Sequence, residues 1–337
     1  MTIVRRTLTF AALASALAAL VGGMASGATR TSTTGVVVVD TNLSYQDAQA
    51  AGTGIVLTSS GEVLTNNHVI RGATTIHVVV PQTGRRYTAR VVGYAISKDV
   101  AVLQLAHATG LRTAAIGRSS TVRRGDHVTA VGNAGGTGRL VSAQGTVTAV
   151  GRTITASDGE SSERLTGLIE TDARLQPGDS GGPLLDGAGR VVGIDTAASS
   201  AFSFRSTSSG GFAIPIDRAV TIAKQIVAGR GSSTVHVGET AFLGVGVQPA
   251  GGYRGSVRGT GGGALVMNIV SGSPAARAGL APGDVITAID GRKVATPSAL
   301  VVQLQRKRPG DAVELAWVDR FGSRGSGSAR LVAGPPQ

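Results

Sequence analysis

The chain has 337 residues, of which 42% are hydrophobic, 15% are charged and 3% are aromatic. At roughly 150 residues per domain this length predicts two domains, and the hydrophobic content excludes a disordered polar chain. The 50 glycines follow no G-X-Y period, which excludes collagen. Cysteine is absent, so a disulfide scaffold, a thiol nucleophile and cysteine-ligated zinc are excluded as well.

The formal net charge is +12, a balance that favours contact with anionic surfaces. The arginines are scattered along the chain, however, and the longest basic cluster is Arg306–Arg308. No aromatic residues interleave with that cluster to stack on bases. We therefore expect no nucleic-acid binding, whereas attachment of the basic surface to an anionic envelope stays open.

Residues 1–28 have the order of an export signal. Arg5 and Arg6 precede an apolar run from Phe10 to Val21, and small residues follow that run. The run is shorter than the roughly 18–20 residues of a comfortable membrane span, although a retained anchor stays open. We expect the remainder to be extracytoplasmic: secreted, periplasmic, or anchored to the outer face of the cytoplasmic membrane.

Residues 29–45 are rich in threonine and serine and are expected to form a tether. Short β-branched runs, punctuated by glycine, asparagine and serine, then predict a strand-rich domain over 46–228. Strands at this spacing are typical of barrels and sandwiches. A three- and four-residue apolar spacing predicts one helix, Ile216–Val227. The predicted strands are Gly54–Thr58, Glu62–Thr65, Thr75–Val80, Tyr87–Tyr94, Val100–Leu105, His127–Val131, Val141–Val150, Gly167–Glu170, Pro183–Leu185, Val191–Asp195 and Gly211–Pro215.

A polar linker over 229–239 separates this domain from a second module over 240–334. The glycine-rich runs 253–263 and 322–328 are expected to be mobile loops. The module's predicted elements are strands at Leu243–Val247, Ala264–Ile269, Val285–Ile289 and Ala312–Val318, and helices at Pro274–Ala278 and Pro297–Arg306.

Three local motifs carry the chemistry: TNNHV around His68, SKDVAVL around Asp99, and PGDSGGP around Ser180. A serine hydroxyl needs a base to become a nucleophile, and an imidazole titrates in the range that base requires. A buried carboxylate would hold the imidazole in the correct tautomer. The chain order His–Asp–Ser is that of chymotrypsin-like hydrolases. Together these residues predict a catalytic triad.

The glycines around Ser180 predict an oxyanion hole. Because glycine adopts backbone angles that other residues avoid, the turn can aim main-chain N–H groups at a developing negative charge. The predicted donors are the amides of Gly178, Asp179 and Ser180, and one such donor is worth about 10²–10³ in rate. The five histidines are dispersed, without HExxH or paired spacing, so no metal site is predicted. This chemistry needs no cofactor.

These motifs resemble those of the HtrA (DegP/DegS-like) family of trypsin-fold serine proteases. Further matches lie in GTGIV, ETDA, VVGIDTA and GFAIP, and together they cover about residues 45–228. The resemblance implies an all-β main domain with a chymotrypsin/trypsin-like double β-barrel and the triad between its barrels. It also implies hydrolysis of unfolded or misfolded polypeptides, and it leaves a homotrimer open as the assembly.

The residues just before the nucleophile line the primary specificity pocket in that fold. Leu175 matches an aliphatic family position and no acid stands where lysine or arginine would be selected, so cleavage after small aliphatic residues is expected. Many relatives carry asparagine where this chain has Asp179. We expect that carboxylate to pair with a nearby arginine such as Arg174, or to face solvent.

The second module resembles the PDZ domain of such proteases, an α+β fold that binds C-terminal peptides. Main-chain N–H groups of the loop formed by Phe242, Leu243, Gly244 and Val245 would meet the peptide carboxylate, and the next strand would accept the peptide as an added strand. The leading hypothesis is an exported serine endopeptidase whose activity this domain regulates. The alternative is a catalytically silent, chaperone-like peptide-binding protein of the envelope.

Overall fold

The computed structural model describes residues 32–157, 162–196, 203–204, 211–252 and 262–337. The predicted export signal and most of the predicted loop 253–263 lie outside these ranges. The described residues from 32 onward form one compact unit. Within the described ranges, no helix has the length and apolar content that a membrane crossing requires.

The first barrel is a six-stranded antiparallel sheet in the order β5-β4-β1-β2-β3-β6, which closes because β5 also pairs with β6. Its interior is packed with aliphatic side chains and two tyrosines, Tyr87 and Tyr94. The elements are β1 (Val36–Leu43), β2 (Ala48–Val56), β3 (Glu62–Thr65), the one-turn helix α1 (Asn67–Ile70), β4 (Thr75–Val80), β5 (Arg85–Ala95) and β6 (Val100–Leu105).

The second barrel follows in sequence and closes in the same way. Its strand order is β8-β7-β10-β11-β13-β9, and β8 pairs with β9 to complete the ring, while β12 pairs with β8 outside it. The elements are β7 (His127–Gly132), β8 (Val141–Ser157), β9 (Ser162–Thr171), β10 (Pro183–Leu185), β11 (Val191–Asp195), β12 (Ser203–Phe204) and β13 (Gly211–Pro215). The predicted double barrel is confirmed.

The predicted helix is present as α2 (Ile216–Val227). Its buried residues Ile216, Ala219, Ala223 and Ile226 recur every three or four positions and so form one apolar stripe. The helix contacts β5 and β6 of the first barrel and β11 and β13 of the second. It therefore packs across both barrels and joins their cores.

The tether predicted for residues 29–45 is wrong for the described part of that segment. Residues Val36 to Val39 are at most 1% exposed, and β1 pairs with both β2 and β4 in the middle of the first barrel. Four consecutive valines strongly favour a strand, and this local run outweighs the threonine- and serine-rich composition around it.

The C-terminal module has a five-stranded path β16-β17-β18-β20-β21, with β19 beside β18, and a separate pair β15–β22. Helix α4 packs on β16 and β17. The elements are β14 (His236–Val237), β15 (Thr240–Phe242), β16 (Val245–Pro249), β17 (Ala264–Ile269), α3 (Pro274–Arg277), β18 (Val285–Ile289), β19 (Arg292–Lys293), α4 (Pro297–Leu304), β20 (Ala312–Val318), β21 (Arg324–Arg330) and β22 (Val332–Gly334).

Two further expectations are wrong. The predicted linker contains β14, which pairs with β5 and extends the first barrel's sheet. The predicted mobile loop 322–328 lies mostly in β21, which pairs with β20 over seven residues. Its glycines have a packing role, because a Cβ on Gly325 would lie 2.5 Å from the ring of Trp317.

The burial of β1 predicts that Val39→Asp will unfold or strongly destabilise the protein. An uncompensated buried charge costs about 3–5 kcal/mol, and Val39 is 0% exposed. Thr34→Asp, at an exposed position of the same segment, is the control and should leave the melting temperature nearly unchanged. Equal melting temperatures for the two variants would show that this segment is a tether after all.

Candidate active site

The predicted base and acid meet on the first barrel. His68 lies in α1, directly after β3, and Asp99 ends the turn that precedes β6 with a left-handed φ of 52°. His68 Nδ1 is 2.9 Å from Asp99 Oδ2 and 3.0 Å from Oδ1. Because an ionised carboxylate only accepts hydrogen bonds, this contact holds the imidazole with its proton on Nδ1.

Asp99 is buried, at 3% exposure, but its carboxylate is well compensated. Its Oδ1 also accepts the main-chain N–H of His68 at 3.0 Å, and its Oδ2 accepts the hydroxyl of Thr196 at 3.1 Å. Asn66 Nδ2 donates to the main-chain oxygen of Asp99 at 2.9 Å. Since Thr196 follows β11 of the second barrel, this network also crosses between the barrels.

The predicted nucleophile lies on the second barrel and is brought to the first by β2. The main-chain N–H of Thr53 donates to the oxygen of Ser180 at 2.8 Å. Gly52, the residue before Thr53, lies between Val69 of α1 and the main chain of Ser180. A Cβ at position 52 would lie 2.6 Å from Val69 and 3.2 Å from the oxygen of Ser180. Because Gly52 has no side chain, β2 can lie close to both the helix that carries His68 and the nucleophile turn.

Two amides of the nucleophile turn have fixed orientations. The oxygen of Pro177 accepts the N–H of Gly135 at 2.7 Å, and the oxygen of Asp179 accepts the N–H of Gly182 at 2.9 Å. In a trans peptide the N–H points away from the carbonyl that precedes it, so the amides of Gly178 and Ser180 point away from those partners. Gly178 has φ +98°, which favours glycine.

The third predicted oxyanion donor is used elsewhere. The amide of Asp179 donates to the oxygen of Gln176 at 3.0 Å, inside the turn. This differs from the predicted role, because an N–H engaged by a carbonyl is not directed at a substrate. The sequence shows the glycines of this turn but not which of its amides the turn itself consumes.

The expected surroundings of the Asp179 side chain are also wrong. The residue is only 4% exposed, and its Oδ2 accepts the N–H of Gln176 at 2.8 Å. Among the described residues it forms no ion pair with Arg174 or any other base. The carboxylate caps the turn rather than facing solvent.

A further buried acid, in addition to Asp99 and Asp179, was not predicted from the sequence. Asp195, the last residue of β11, is 0% exposed, and neither carboxylate oxygen has a hydrogen-bond partner among the described residues. Its main chain is bonded to the nucleophile turn, because its oxygen accepts the N–H of Gly181 at 2.9 Å and its N–H donates to Gly182 at 2.8 Å. An acid ending an otherwise apolar strand was the only signal in the sequence.

Burial raises the pKa of Asp195 well above its usual range, and repulsion from Asp179 raises that pKa further. Burial likewise raises the pKa of Asp179, against the lowering effect of its hydrogen bond from Gln176. Two acids beside one turn thus favour their protonated forms. Burial therefore favours the protonated form of Asp195 more strongly than it does for an exposed carboxyl group.

Leu175, the predicted pocket residue, packs directly on Gly211 of β13, where any added Cβ would overlap its side chain. The wall at this point is therefore apolar. Across the described residues, no group of three His, Asp or Glu side chains is arranged to hold a metal ion.

The predicted carboxylate loop lies between β15 and β16. Gly244 has φ +85°, and its oxygen accepts the N–H of Val270 at 2.9 Å. Leu243 is buried in the module's core. The ring of Phe242 stacks on Tyr45 of the main domain, with centroids 5.2 Å apart and planes 12° apart. The loop is therefore in direct contact with the first barrel.

The end of the module reaches the helix of the predicted base. The N–H of Gly72 donates to the oxygen of Pro336 at 2.8 Å, and Asn67 Nδ2 donates to the oxygen of Gln337 at 3.1 Å. Asn67 immediately precedes His68 in α1. Residues 336–337 thus bind both sides of the short segment that holds the imidazole.

Comparison with known proteins agrees with this geometry. Residues 52–194 match the family model described as a trypsin-like peptidase domain, and residues 241–320 match a PDZ domain. A solved HtrA-type protease, AlgW with a tripeptide, is 30% identical, with 91% of this chain and 96% of that chain covered and a TM-score of 0.50.

Curated relatives include the putative serine protease HhoB of Synechocystis sp., which is 33% identical over 80% of this chain and 63% of its own length. The serine protease PepD of Mycobacterium tuberculosis is 32% identical, with 89% and 63% covered. A probable periplasmic DegP-like serine endoprotease of Hahella chejuensis is 35% identical, with 82% and 55% covered. The chain thus spans less than two thirds of these relatives.

The raised pKa of Asp195 predicts a pH dependence of stability. A carboxyl whose pKa is raised on folding contributes its full stability below its unfolded pKa, and that contribution is lost as the pH rises through the folded pKa. Asp195→Asn keeps the shape without the ionisation. The variant should therefore gain stability relative to the wild type as the pH rises, measured by urea unfolding between pH 5 and about pH 9.

Asp172→Asn is the control, because that carboxylate is exposed and hydrogen bonds from Thr146 lower its pKa. Its effect on stability should not grow on the alkaline side. A difference between Asp195→Asn and the wild type that stays constant across the whole pH range would contradict a buried neutral acid.

Proposed function

Because the chain belongs to the HtrA family of trypsin-like serine proteases with a PDZ domain, we propose that it hydrolyses peptide bonds of unfolded or misfolded proteins. The observation that carries this proposal is the contact of His68 Nδ1 with Asp99 at 2.9 Å, beside the turn that presents Ser180. Polypeptide substrates fit the family, whose curated members bear the names of serine proteases.

In the proposed mechanism, the hydroxyl of Ser180 attacks the scissile carbonyl carbon while Nε2 of His68 takes its proton. Asp99 stabilises the imidazolium that forms. The amides of Gly178 and Ser180 then receive the negative oxygen, in orientations set by the carbonyls of Pro177 and Asp179. His68 returns the proton to the leaving amine, and water repeats the sequence to release the acyl group.

For specificity, we propose cleavage after small aliphatic residues. The support is the contact of the Leu175 side chain with Gly211, which makes the wall beside the nucleophile turn apolar. A digest of a peptide library that showed preferred cleavage after arginine would contradict this assignment.

For the PDZ domain, we propose binding of C-terminal peptides beside β16. This strand lies at the edge of its sheet, so it can accept a peptide strand, and α4 packs against it to form the other wall. The loop Phe242–Val245 leads into β16 and would receive the peptide carboxylate. One solved structure is that of the HtrA-type protease AlgW with a tripeptide.

An extracytoplasmic location is part of the proposal. Its support is the signal-like order of residues 1–28 in the sequence and the periplasmic names of several relatives. Retention of an anchor and assembly into a homotrimer are alternatives that a membrane fractionation and a sedimentation measurement would decide.

The non-enzymatic candidate is a catalytically silent protein that binds peptides without cutting them. The open edge of β16 favours it as much as it favours a regulated protease. The two candidates differ in whether Ser180 reacts as a nucleophile, so an assay of its reactivity separates them.

Ser180→Ala should abolish covalent labelling by a fluorophosphonate probe and reduce casein cleavage by about 10⁴-fold or more, because no other residue supplies the nucleophile. The measurement uses purified residues 29–337, with the wild type alongside. A wild-type protein that is folded yet neither labelled nor active, with and without hydrophobic C-terminal peptides, would favour the silent peptide binder.

Tyr45→Ala should reduce the effect of such peptides on proteolysis, because the stack on Phe242 joins the peptide loop to the first barrel. We expect the peptide-dependent change in casein cleavage to fall by about threefold or more, since an aromatic pair is worth about 0.5–1.5 kcal/mol. Tyr45→Phe keeps the ring and serves as the control. If the peptide effect on casein cleavage is unchanged in Tyr45→Ala, the stack of Tyr45 on Phe242 does not couple the peptide loop to the first barrel.

A further inference from the structure

Thr53 contacts the nucleophile turn through both its side chain and its main chain. The residue lies in β2 and is 0% exposed. Its hydroxyl donates to the oxygen of Gly178 at 2.7 Å and accepts the N–H of Asn133 at 2.9 Å. Its main-chain N–H donates to Ser180, and its oxygen accepts the hydroxyl of Thr65 at 2.7 Å.

These bonds fix the part of the nucleophile turn that lies between the two oxyanion amides. The oxygen of Gly178 belongs to the peptide plane joining Gly178 to Asp179, which lies between the amide of Gly178 and the amide of Ser180. Two hydrogen bonds hold that plane. Thr53 Oγ1 donates to its oxygen, and its N–H, the amide of Asp179, donates to the oxygen of Gln176. Rotation of this plane would break both bonds and redirect its neighbours.

The main chain around this carbonyl is closely packed. Gly178 packs against the main chain of Asn133, where an added Cβ would overlap its oxygen, and Gly182 has the methyl group of Thr53 at 3.2 Å from its own Cβ position. The threonine thus supplies a donor, an acceptor and a packed methyl group in one place. Serine would supply the hydrogen-bond donor and acceptor without the methyl group. Valine would supply the methyl group without the donor or the acceptor.

We propose that Thr53 is a positioning residue for peptide hydrolysis, whose hydroxyl locks the peptide plane between Gly178 and Asp179 so that both oxyanion amides converge on one point. The proposal rests on the proposed protease function. It makes Thr53 act through the main chain of the turn, without contact to the substrate. Its loss should therefore reduce the rate of the chemical step more than it weakens substrate binding.

The test compares kcat and KM of Thr53→Val and Thr53→Ser on a fluorogenic peptide. Thr53→Val should lower kcat by about 10- to 100-fold, because small displacements of catalytic groups cost that much, with KM within about twofold. Thr53→Ser should restore kcat to within about threefold of the wild type. A loss confined to KM, an unchanged kcat in Thr53→Val, or no recovery in Thr53→Ser would overturn the proposal.

Thr171→Val is the matched control. Thr171 is also 0% exposed, donates its hydroxyl to the oxygen of Thr146 at 2.9 Å and accepts the N–H of Ala173 at 3.2 Å. Its valine variant should lose a similar amount of thermal stability while keeping kcat within about twofold. If both valine variants lose kcat in proportion to stability, the role of Thr53 is only structural.

Hydrogen–deuterium exchange of residues 174–182 gives a readout that needs no activity. Exchange should become about fivefold faster in Thr53→Val and return towards the wild type in Thr53→Ser. A wild type that cuts nothing while this pattern holds would refute the protease function alone. Unchanged exchange would refute the role of Thr53. Thr53→Ala removes the same hydroxyl and replaces Thr53→Val if that variant does not fold.

Discussion

The hydrogen bond from the main-chain N–H of Thr53 to the oxygen of Ser180 joins two barrels that each carry only part of the proposed catalytic apparatus. His68 and Asp99 belong to the first barrel and Ser180 to the second. Sub-ångström alignment of these groups matters for proton transfer, and neither barrel can provide it alone. The glycine at position 52 makes the approach possible, because a side chain there would occupy the space between Val69 and the nucleophile turn.

Asp99 and Asp195, two of the three buried acids near the site, show opposite solutions to the cost of burial. Asp99 accepts hydrogen bonds from the imidazole and main chain of His68 and from Thr196, so its negative charge is compensated. Asp195 has no partner for either oxygen in the part of the chain that the structure describes, and burial raises its pKa because an isolated carboxylate is costly to bury. Only the compensated acid can stabilise an imidazolium. The adjacent residues Asp195 and Thr196 therefore support the site differently. Asp195 bonds to the nucleophile turn through its main chain, whereas Thr196 bonds to Asp99 through its hydroxyl.

The sequence was sufficient for the parts of the molecule that local pattern determines. The order of His68, Asp99 and Ser180, the alternating strands and the apolar stripe of α2 are all readable within short windows. What it did not disclose depends on distant neighbours. The valines of β1 are central only because β2 and β4 flank them, and the glycines of β21 form a strand because Trp317 covers them. The engagement of the Asp179 amide likewise depends on how the turn closes.

The position of the PDZ domain determines by which route it can influence catalysis. Its contacts described above fall on the first barrel: Phe242 on Tyr45, and residues 336–337 on the two sides of His68. A displacement of the domain therefore acts first on the base and its helix. It reaches Ser180 only across the bonds that join the barrels, from Thr53 to the nucleophile turn and from Thr196 to Asp99. In the proposed mechanism, the same few hydrogen bonds would align the triad and would form the path along which a bound peptide alters that alignment.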